Sequence, residues 1–302
     1  MEIIVHADDF GIEVGQSRRI LECCGMPGEP GALNSLSVFS TSPAFDECAA
    51  LLDGRPGHLR IGVHVNLTEG PCCADPSEVA SLVDDDGVFA LSFVGLLQRS
   101  LSGDRERFER ELRIEVAAQI RRFVRRFPET RGALRIDGHQ HVQLIPSVFS
   151  AVRGAAADCG CVVSSMRVPA ESTAAYLDPR VLFGIRPVNW AKHWVLDALW
   201  AADRRRWPDA RQAADFCGVL FSGGMSEKRV LEVLPALARR ARSHGRDLEL
   251  LFHPGRVDDP RLCLNPNIRD FVEFSTSENR SMEACALKRL RTVEEGDGLA
   301  LA

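Results

Sequence analysis

The stretch IIVHADDFG, residues 3–11, sets an apolar run directly before two adjacent aspartates. The apolar residues predict a short buried strand over residues 2–6. Asp8 and Asp9 then follow at the carboxyl end of that strand, where two neighbouring carboxylates repel each other. Because a nearby positive charge favours both ionised forms, the pair predicts that a cation lies close to this strand end.

Strands and helices alternate along the rest of the chain. Apolar runs predict strands at 33–40, 59–67, 134–144 (a strand and its turn), 161–169, 216–223 and 248–255. Helical periodicity predicts helices at 13–24, 42–53, 104–127, 148–160 and 226–245. The pattern over 170–214 favours no element. This alternation predicts an α/β fold with a mainly parallel sheet. About seven strands favour a barrel or distorted barrel, and a doubly wound open sheet is the alternative.

Length and composition narrow the class of protein. The 302 residues are 45% hydrophobic and 26% charged, which is enough for a sizeable core, and we expect one catalytic domain over residues 1–302. The net charge of -5 gives no basic character that would favour nucleic acid. No apolar run is long enough to span a membrane, and the N-terminus lacks signal-peptide features. With ten cysteines and no C-x-x-C pair, we expect a cytoplasmic protein with reduced thiols.

Polar residues recur where the predicted strands end. His64 lies within GVHVNLTEG, and His253 lies within LLFHPG. Asp137, His139 and His141 are spaced by two, so that all three would point the same way if the segment were extended. Because the functional residues of such barrels sit at the carboxyl ends of strands, we expect these side chains to meet.

These residue types favour metal chemistry. A carboxylate with two imidazoles is a common set of ligands for a divalent cation, with positions left for water and substrate. A further carboxylate commonly orients a ligand histidine. If one aspartate of the 8–9 pair binds the cation, the other is free to act as a base on water. The sequence therefore predicts a metal-dependent hydrolytic site.

Six segments, taken in order, resemble the YdjC-like family, also called the chitooligosaccharide deacetylase and hopanoid-biosynthesis-associated deacetylase family. They are HADDFG (6–11), LNSLSVFSTSPAFDECAALL (33–52), GVHVNLTEG (62–70), RIDGHQHVQLIP (135–146), MRVP (166–169) and LLFHPGRVDD (250–259). The similarity continues to about residue 290. It implies a distorted TIM-like (β/α) barrel of the glycoside hydrolase/deacetylase type.

The resemblance also implies an activity, which is the metal-dependent removal of acetyl groups from N-acetylated sugars such as chitooligosaccharides or glycolipid head groups. Carried over by position, Asp9, His64 and His139 would hold one divalent metal ion. Asp8 would be the general base and His253 the general acid. An imidazole-rich set suits zinc better than magnesium, although the family admits magnesium as well. A homodimer is implied at the level of the family.

Supporting roles at the site are implied for Asp137, His141 and Arg167, which would orient the catalytic groups or the substrate. Arg256 follows the HPG segment, where the family often has an aromatic residue, and it would favour an anionic substrate or lie in solvent. Two further departures are His6, where the family usually has Asn, and Gln143, where it often has His. The alternatives are a metal-dependent deacylase or phosphoesterase for another substrate, and a sugar-binding homologue without activity.

Overall fold

The first strand, β1 (Ile3–Phe10), is buried along its whole length. It is longer than the strand predicted over residues 2–6, because the polar side chains of His6, Asp8 and Asp9 are buried as well. Apolar periodicity cannot reveal this extension, since the residues that continue the strand are charged or polar. The functional stretch of the sequence is therefore part of the central sheet rather than a loop after it.

The computed structural model describes residues 1–25, 31–265, 268–290, 292–295 and 298–301. Its central sheet has seven parallel strands in the order β5-β4-β3-β2-β1-β7-β6. The other strands of this sheet are β2 (Ser35–Phe39), β3 (Arg60–Val65), β4 (Leu134–Gly138), β5 (Val163–Met166), β6 (Ala214–Cys217) and β7 (Asp247–Phe252). A separate antiparallel pair consists of β8 (Thr292–Glu295) and β9 (Gly298–Leu301). The carboxyl ends of all seven parallel strands meet at one rim.

Helices surround this sheet. They are α1 (Val14–Leu21), α2 (Phe45–Ala50), α3 (Phe93–Ser100), α4 (Arg105–Arg126), α5 (Pro146–Asp158), α6 (Pro179–Leu182), α7 (Pro187–Arg206), α8 (Glu227–Ser243), α9 (Arg269–Thr276) and α10 (Glu278–Arg289). The longest, α4, packs on α5 and on β3 through a buried stripe that includes Phe108, Leu112, Val116 and Ile120. Apolar residues at this spacing form one face of a helix, which is why the sequence predicts a helix over 104–127.

The curled sheet confirms the predicted α/β class and the distorted TIM-like (β/α) barrel, and not the doubly wound alternative. Its two edge strands, β5 and β6, do not pair with each other in the described sheet. One isolated parallel bridge, between Glu171 and Phe216, joins the segment after β5 to β6. The Glu171 carboxylate reinforces this contact by accepting hydrogen bonds from the amides of Gly218 and Leu220 and from the Tyr176 hydroxyl.

The segment 170–214, for which the sequence favoured no element, contains α6 and α7. Among the described residues, no helix has both the length and the apolar character required to cross a bilayer.

Candidate active site

Asp8 and Asp9 reach the same site although they are consecutive residues of a strand. Side chains of neighbouring strand residues normally point to opposite faces. Here the pairing of β1 with β2 shifts register between Ala7 and Phe10, and Asp9 has a left-handed backbone with φ of 66°. The Gln16 side chain donates to the carbonyl oxygen of Asp9 at 2.7 Å, which holds this conformation in place.

Asp9, His64 and His139 offer ligand atoms that all lie within 4.8 Å of one another, and all three residues are buried. We call these three residues the metal face. His64 Nδ1 lies 2.6 Å from Asp137 Oδ1, so that this nitrogen donates and Nε2 is the nitrogen that can offer a lone pair once it has lost its proton. Nε2 of His64 and Nε2 of His139 have no hydrogen-bonding partner among the described residues. Buried nitrogen atoms without partners, beside a carboxylate, fit a divalent cation.

The charges around the metal face also favour a cation. Burial alone would lower the pKa of His64, but the carboxylates of Asp8 and Asp137 raise it to about 10. Burial would raise the pKa of Asp9, yet the neighbouring imidazoles of His139 and His64 hold it well below its usual range. In the absence of a metal ion, the carboxylates therefore hold a proton on His64.

Arg167 supplies the fixed positive charge of the site. Its guanidinium lies 2.8 Å from Asp8 Oδ1, 3.0 Å from Asp137 Oδ2 and 2.7 Å from Glu249 Oε1. Although burial would raise the pKa of Asp8, the charges of Arg167 and His64 keep it below its usual range, so that Asp8 is a carboxylate.

A second group of potential ligands is formed by His6, Asp8 and Asp137. Both of its carboxylates already pair with Arg167, so the metal face is the better site for a cation. His6 Nε2 lies 3.2 Å from Asp8 Oδ1 and 3.2 Å from Asp137 Oδ2, and its Nδ1 lies 2.8 Å from the Ser35 hydroxyl. His6 therefore links the two carboxylates that Arg167 binds.

His253 directly follows β7, which neighbours β1 on the side away from β2, and its side chain approaches Asp8. Its Nε2 lies 4.0 Å from Asp8 Oδ2. Its backbone amide donates to Glu283 Oε2 at 2.6 Å, and the Phe274 ring packs edge-on against the imidazole at 5.2 Å. Burial lowers the pKa of His253, and the charge of Arg280 lowers it further against the opposing effect of the site carboxylates. The imidazole is therefore neutral at neutral pH.

Asp137, His139 and His141 would share one face in an extended segment, but the segment that carries them is not extended. β4 ends at Gly138, and residues 139–144 form a 3₁₀ turn in which Gln140 and His141 have left-handed backbones. The turn brings His139 to the metal face, but it sends the half-buried His141 ring against Phe216, at 5.9 Å. Burial, with the charge of Arg167, lowers the pKa of His141 to about 3, so that this ring is neutral.

The other departures from the family pattern lie outside the metal face. The Gln143 amide donates to the carbonyl oxygen of Arg167 at 3.2 Å. The Arg256 guanidinium forms an ion pair with Glu278, and its backbone carbonyl accepts from Arg19 at 2.7 Å. Arg256 thus already pairs with one carboxylate, and its contact with an anionic substrate stays a prediction.

Several site residues were not anticipated from the sequence. The Ser37 hydroxyl, in β2, lies 3.0 Å from His64 Nδ1 and 3.4 Å from Asp8 Oδ1. Phe39, at the end of the same strand, packs edge-on against both imidazoles of the metal face. Glu69 is buried in the loop after β3. Ser37 and Phe39 lie within the predicted strand 33–40, and Glu69 closely follows the predicted strand 59–67. These positions were the available signal.

Comparison with known proteins identifies a family that spans nearly the whole chain. The model of the family described as YdjC-like protein matches residues 2–293. A curated chitooligosaccharide deacetylase from Escherichia fergusonii is 26% identical over 258 residues, which cover 85% of this chain and 82% of that protein. A crystal structure from Enterococcus faecalis V583, described as a proposed cellobiose-phosphate cleavage protein, superimposes with a TM-score of 0.58 at 21% identity. That alignment covers 95% of this chain and 94% of the other, and it supports the fold alone.

Proposed function

Since the chain belongs to the YdjC-like family, we propose that it is a metal-dependent hydrolase that removes the N-acetyl group of an N-acetylated sugar. The products would be acetate and a free amine. The observation that carries this proposal is the metal face, in which two buried imidazole nitrogens without partners stand beside a carboxylate. The name of the Escherichia fergusonii relative supports a carbohydrate substrate of the chitooligosaccharide type. A glycolipid head group is the other substrate that we include in the proposal.

Asp9, His64 and His139 would hold the divalent cation, with zinc favoured over magnesium by the two imidazoles. When bound there, the cation would supply Lewis-acid polarisation of the acetyl carbonyl and would acidify the attacking water. Asp137 fixes the ring of His64 through the bond to Nδ1, as carboxylates commonly do for ligand histidines. Phe39 excludes water from one side of both imidazoles.

Asp8 would take the proton of the attacking water, because it is an ionised carboxylate that directly precedes Asp9 of the metal face and Arg167 keeps it in place. His253 is neutral at rest, so it has no proton of its own to give to the leaving amine. We infer that Asp8 passes the proton from water to His253, across the 4.0 Å that separates their side chains. His253 then protonates the nitrogen as the carbon–nitrogen bond breaks, and the hydroxyl of the water stays with the acetyl carbon.

The test is acetate release from a panel of N-acetylated sugars and glycolipid head groups, with metal content measured on the same preparation. Loss of a general base typically costs 10²- to 10⁴-fold in rate. Asp8→Asn should therefore reduce turnover by at least about 100-fold while the protein keeps its metal, since Asp8 is not part of the metal face. Near-normal turnover in this variant would assign the base elsewhere.

The panel also separates the rival activities. Release of phosphate or of another acyl group, without acetate, would favour the alternative hydrolases. Binding of sugar without any release would favour a sugar-binding homologue. We further propose that residues 1–302 act as one catalytic domain, because β1 and β7, from opposite ends of the chain, contribute to the same site.

A further inference from the structure

We propose that Glu69, supported by Gln140, forms a subsite that binds a hydroxyl group of the sugar beside the metal face. This inference rests on the proposed function, because it assumes that the ligand is a carbohydrate. Glu69 belongs neither to the metal face nor to the pair that moves the proton, so the chemistry proposed above leaves it without a role.

The loop after β3 places Glu69 without using its side chain. Asn66 Oδ1 accepts from the backbone amides of Thr68 and Glu69, at 3.2 and 3.1 Å. The Asn66 amide group donates to the Glu69 carbonyl oxygen at 2.5 Å. These bonds involve only the backbone of Glu69, so the shape of the loop does not require a carboxyl group at this position.

The Glu69 carboxyl group is nevertheless buried and incompletely paired. The residue is 2% exposed, and its Oε2 has no hydrogen-bonding partner within the described part of the chain. Among the described residues, its Oε1 receives one long contact, 3.4 Å from the Gln140 amide nitrogen. A buried polar atom without a partner is unfavourable, and in native structures such atoms are few. A ligand that supplies the missing bond would account for keeping a carboxyl group here.

The position of Glu69 relative to the metal face indicates where such a ligand lies. Burial, together with the negative charge of Asp9, raises the pKa of Glu69 to about 8, which means that the two carboxyl groups influence each other. Gln140 directly follows the ligand residue His139 in the chain, and its left-handed backbone, with φ of 53°, belongs to the turn that delivers that histidine. Glu69 and Gln140 therefore border the metal face on the side of the β3 and β4 loops.

A sugar hydroxyl matches this subsite in either charge state of Glu69. The carboxylate would accept a bond from the hydroxyl, and the carboxylic acid would donate one to its oxygen. The Gln140 amide offers both a donor and an acceptor to the same group. A simple amide such as N-methylacetamide has no hydroxyl group for this subsite, so Glu69 would select substrates by the sugar rather than by the acyl group.

The experiment compares the metal-loaded native protein with Glu69→Gln, which keeps the size of the side chain and removes the carboxylate. With di-N-acetylchitobiose as the probe, we expect KM to rise about tenfold or more, while kcat changes less than about threefold and the metal content is unchanged. Glu78→Gln is the matched control, because Glu78 is an exposed residue of the short turn 76–78 and belongs to neither group of potential metal ligands, and it should leave KM unchanged. A KM within twofold of the native value for Glu69→Gln overturns the subsite.

A second variant and a second measurement keep the proposal open to refutation. Gln140→Asn shortens the supporting side chain but keeps a residue that tolerates left-handed backbone, and it should raise KM in the same direction by a smaller factor. If the native protein releases no acetate, the proposed function fails, and the subsite is then tested by calorimetric binding of di-N-acetylchitobiose. Equal affinity in the native protein and in Glu69→Gln would refute the subsite, and affinity about tenfold weaker in the variant would support it.

Discussion

Asp8 and Asp9 pair with different positive groups. Asp8 lies against the fixed guanidinium of Arg167, while Asp9 faces two imidazoles. The repulsion between the adjacent carboxylates is thus reduced at both residues. The charge of Arg167 balances Asp8, and the imidazoles of the metal face, where a cation fits, balance Asp9. This separation allows one carboxylate to bind metal and its neighbour to move a proton.

Metal affinity should depend on pH through His64. Its pKa is raised to about 10 by the surrounding carboxylates, and the proton must leave before the imidazole binds a cation. The apparent affinity for zinc should therefore rise about tenfold for each pH unit between pH 6 and 8 from this group alone. Calorimetric titration of chelator-treated protein, in buffers of different ionisation enthalpy, measures the affinity and the protons released. An affinity that is constant over this range would contradict the assignment.

Some site residues could be predicted from the sequence and others could not. Asp9, His64 and His139 each stand at the end of an apolar run, and parallel strands bring such ends together. His6 gave no such signal, because its role depends on Ser35 and Asp137, which come from other strands. A contact between strands depends on sheet order, and a single sequence does not contain that order.

At the scale of elements, the approach of β3 to β4 depends on a glycine. A Cβ atom at Gly62 would stand 2.9 Å from the carbonyl oxygen of Arg135 in the adjacent strand. Because a backbone atom cannot move aside cheaply, Gly62→Ala should lower the free energy of unfolding by about 1–3 kcal/mol. The strands that carry His64 and Asp137 would also be pushed apart.

Denaturant unfolding of the purified variant measures this change. Gly57→Ala is the control, since a Cβ there would meet no atom within 4 Å, and it should leave stability nearly unchanged. Equal stability of the two variants would show that β3 and β4 tolerate a wider separation than their spacing implies.

The turn after β4 shows why alternation along the sequence was misleading. Residues spaced by two share a face only while the chain stays extended. The ladder with β3 ends at the pair Val65 and Gly138, so nothing holds the following residues in a strand. The spacing could not reveal where the ladder stops, and His141 consequently has different neighbours from those expected.

At the scale of the molecule, the two edges of the sheet are joined by the cluster around Glu171. Removal of its carboxylate would leave two buried amides and the Tyr176 hydroxyl without this acceptor. Because each unpaired buried group costs about 1–3 kcal/mol, Glu171→Ala should lower the free energy of unfolding by about 3 kcal/mol or more. Glu78→Ala, on the exposed surface, should change it by less than about 0.5 kcal/mol.

Thermal or denaturant unfolding, followed by circular dichroism, measures the loss in the free energy of unfolding. Hydrogen exchange of the amides in β6 shows whether the loss of stability is at this edge of the sheet. Small losses in both variants would mean that the edges of the sheet are held together elsewhere.

The alternation of elements was sufficient to predict an α/β fold with a parallel sheet, because apolar runs mark parallel strands buried on both faces. It favoured a barrel over a doubly wound sheet without deciding between them, and the distorted TIM-like barrel was implied by the resemblance to the family. The alternation was not sufficient for α7, whose exposed Trp194 and Val195 interrupt the polar face expected of a surface helix. The helix is recognisable only from its partners, since Leu196 and Trp200 pack against Phe149 and Leu144 from distant parts of the chain.

The left-handed backbone of Asp9 restricts which amino acids this position can accept, whatever the ligand chemistry. Alanine or glutamate would remove or move the ligand atom and also strain the chain, so that loss of metal in such variants would have two causes. Asparagine tolerates this conformation and nearly matches aspartate in shape. A mutational scan of position 9 should therefore rank asparagine and glycine highest for folding, while only aspartate retains full metal affinity.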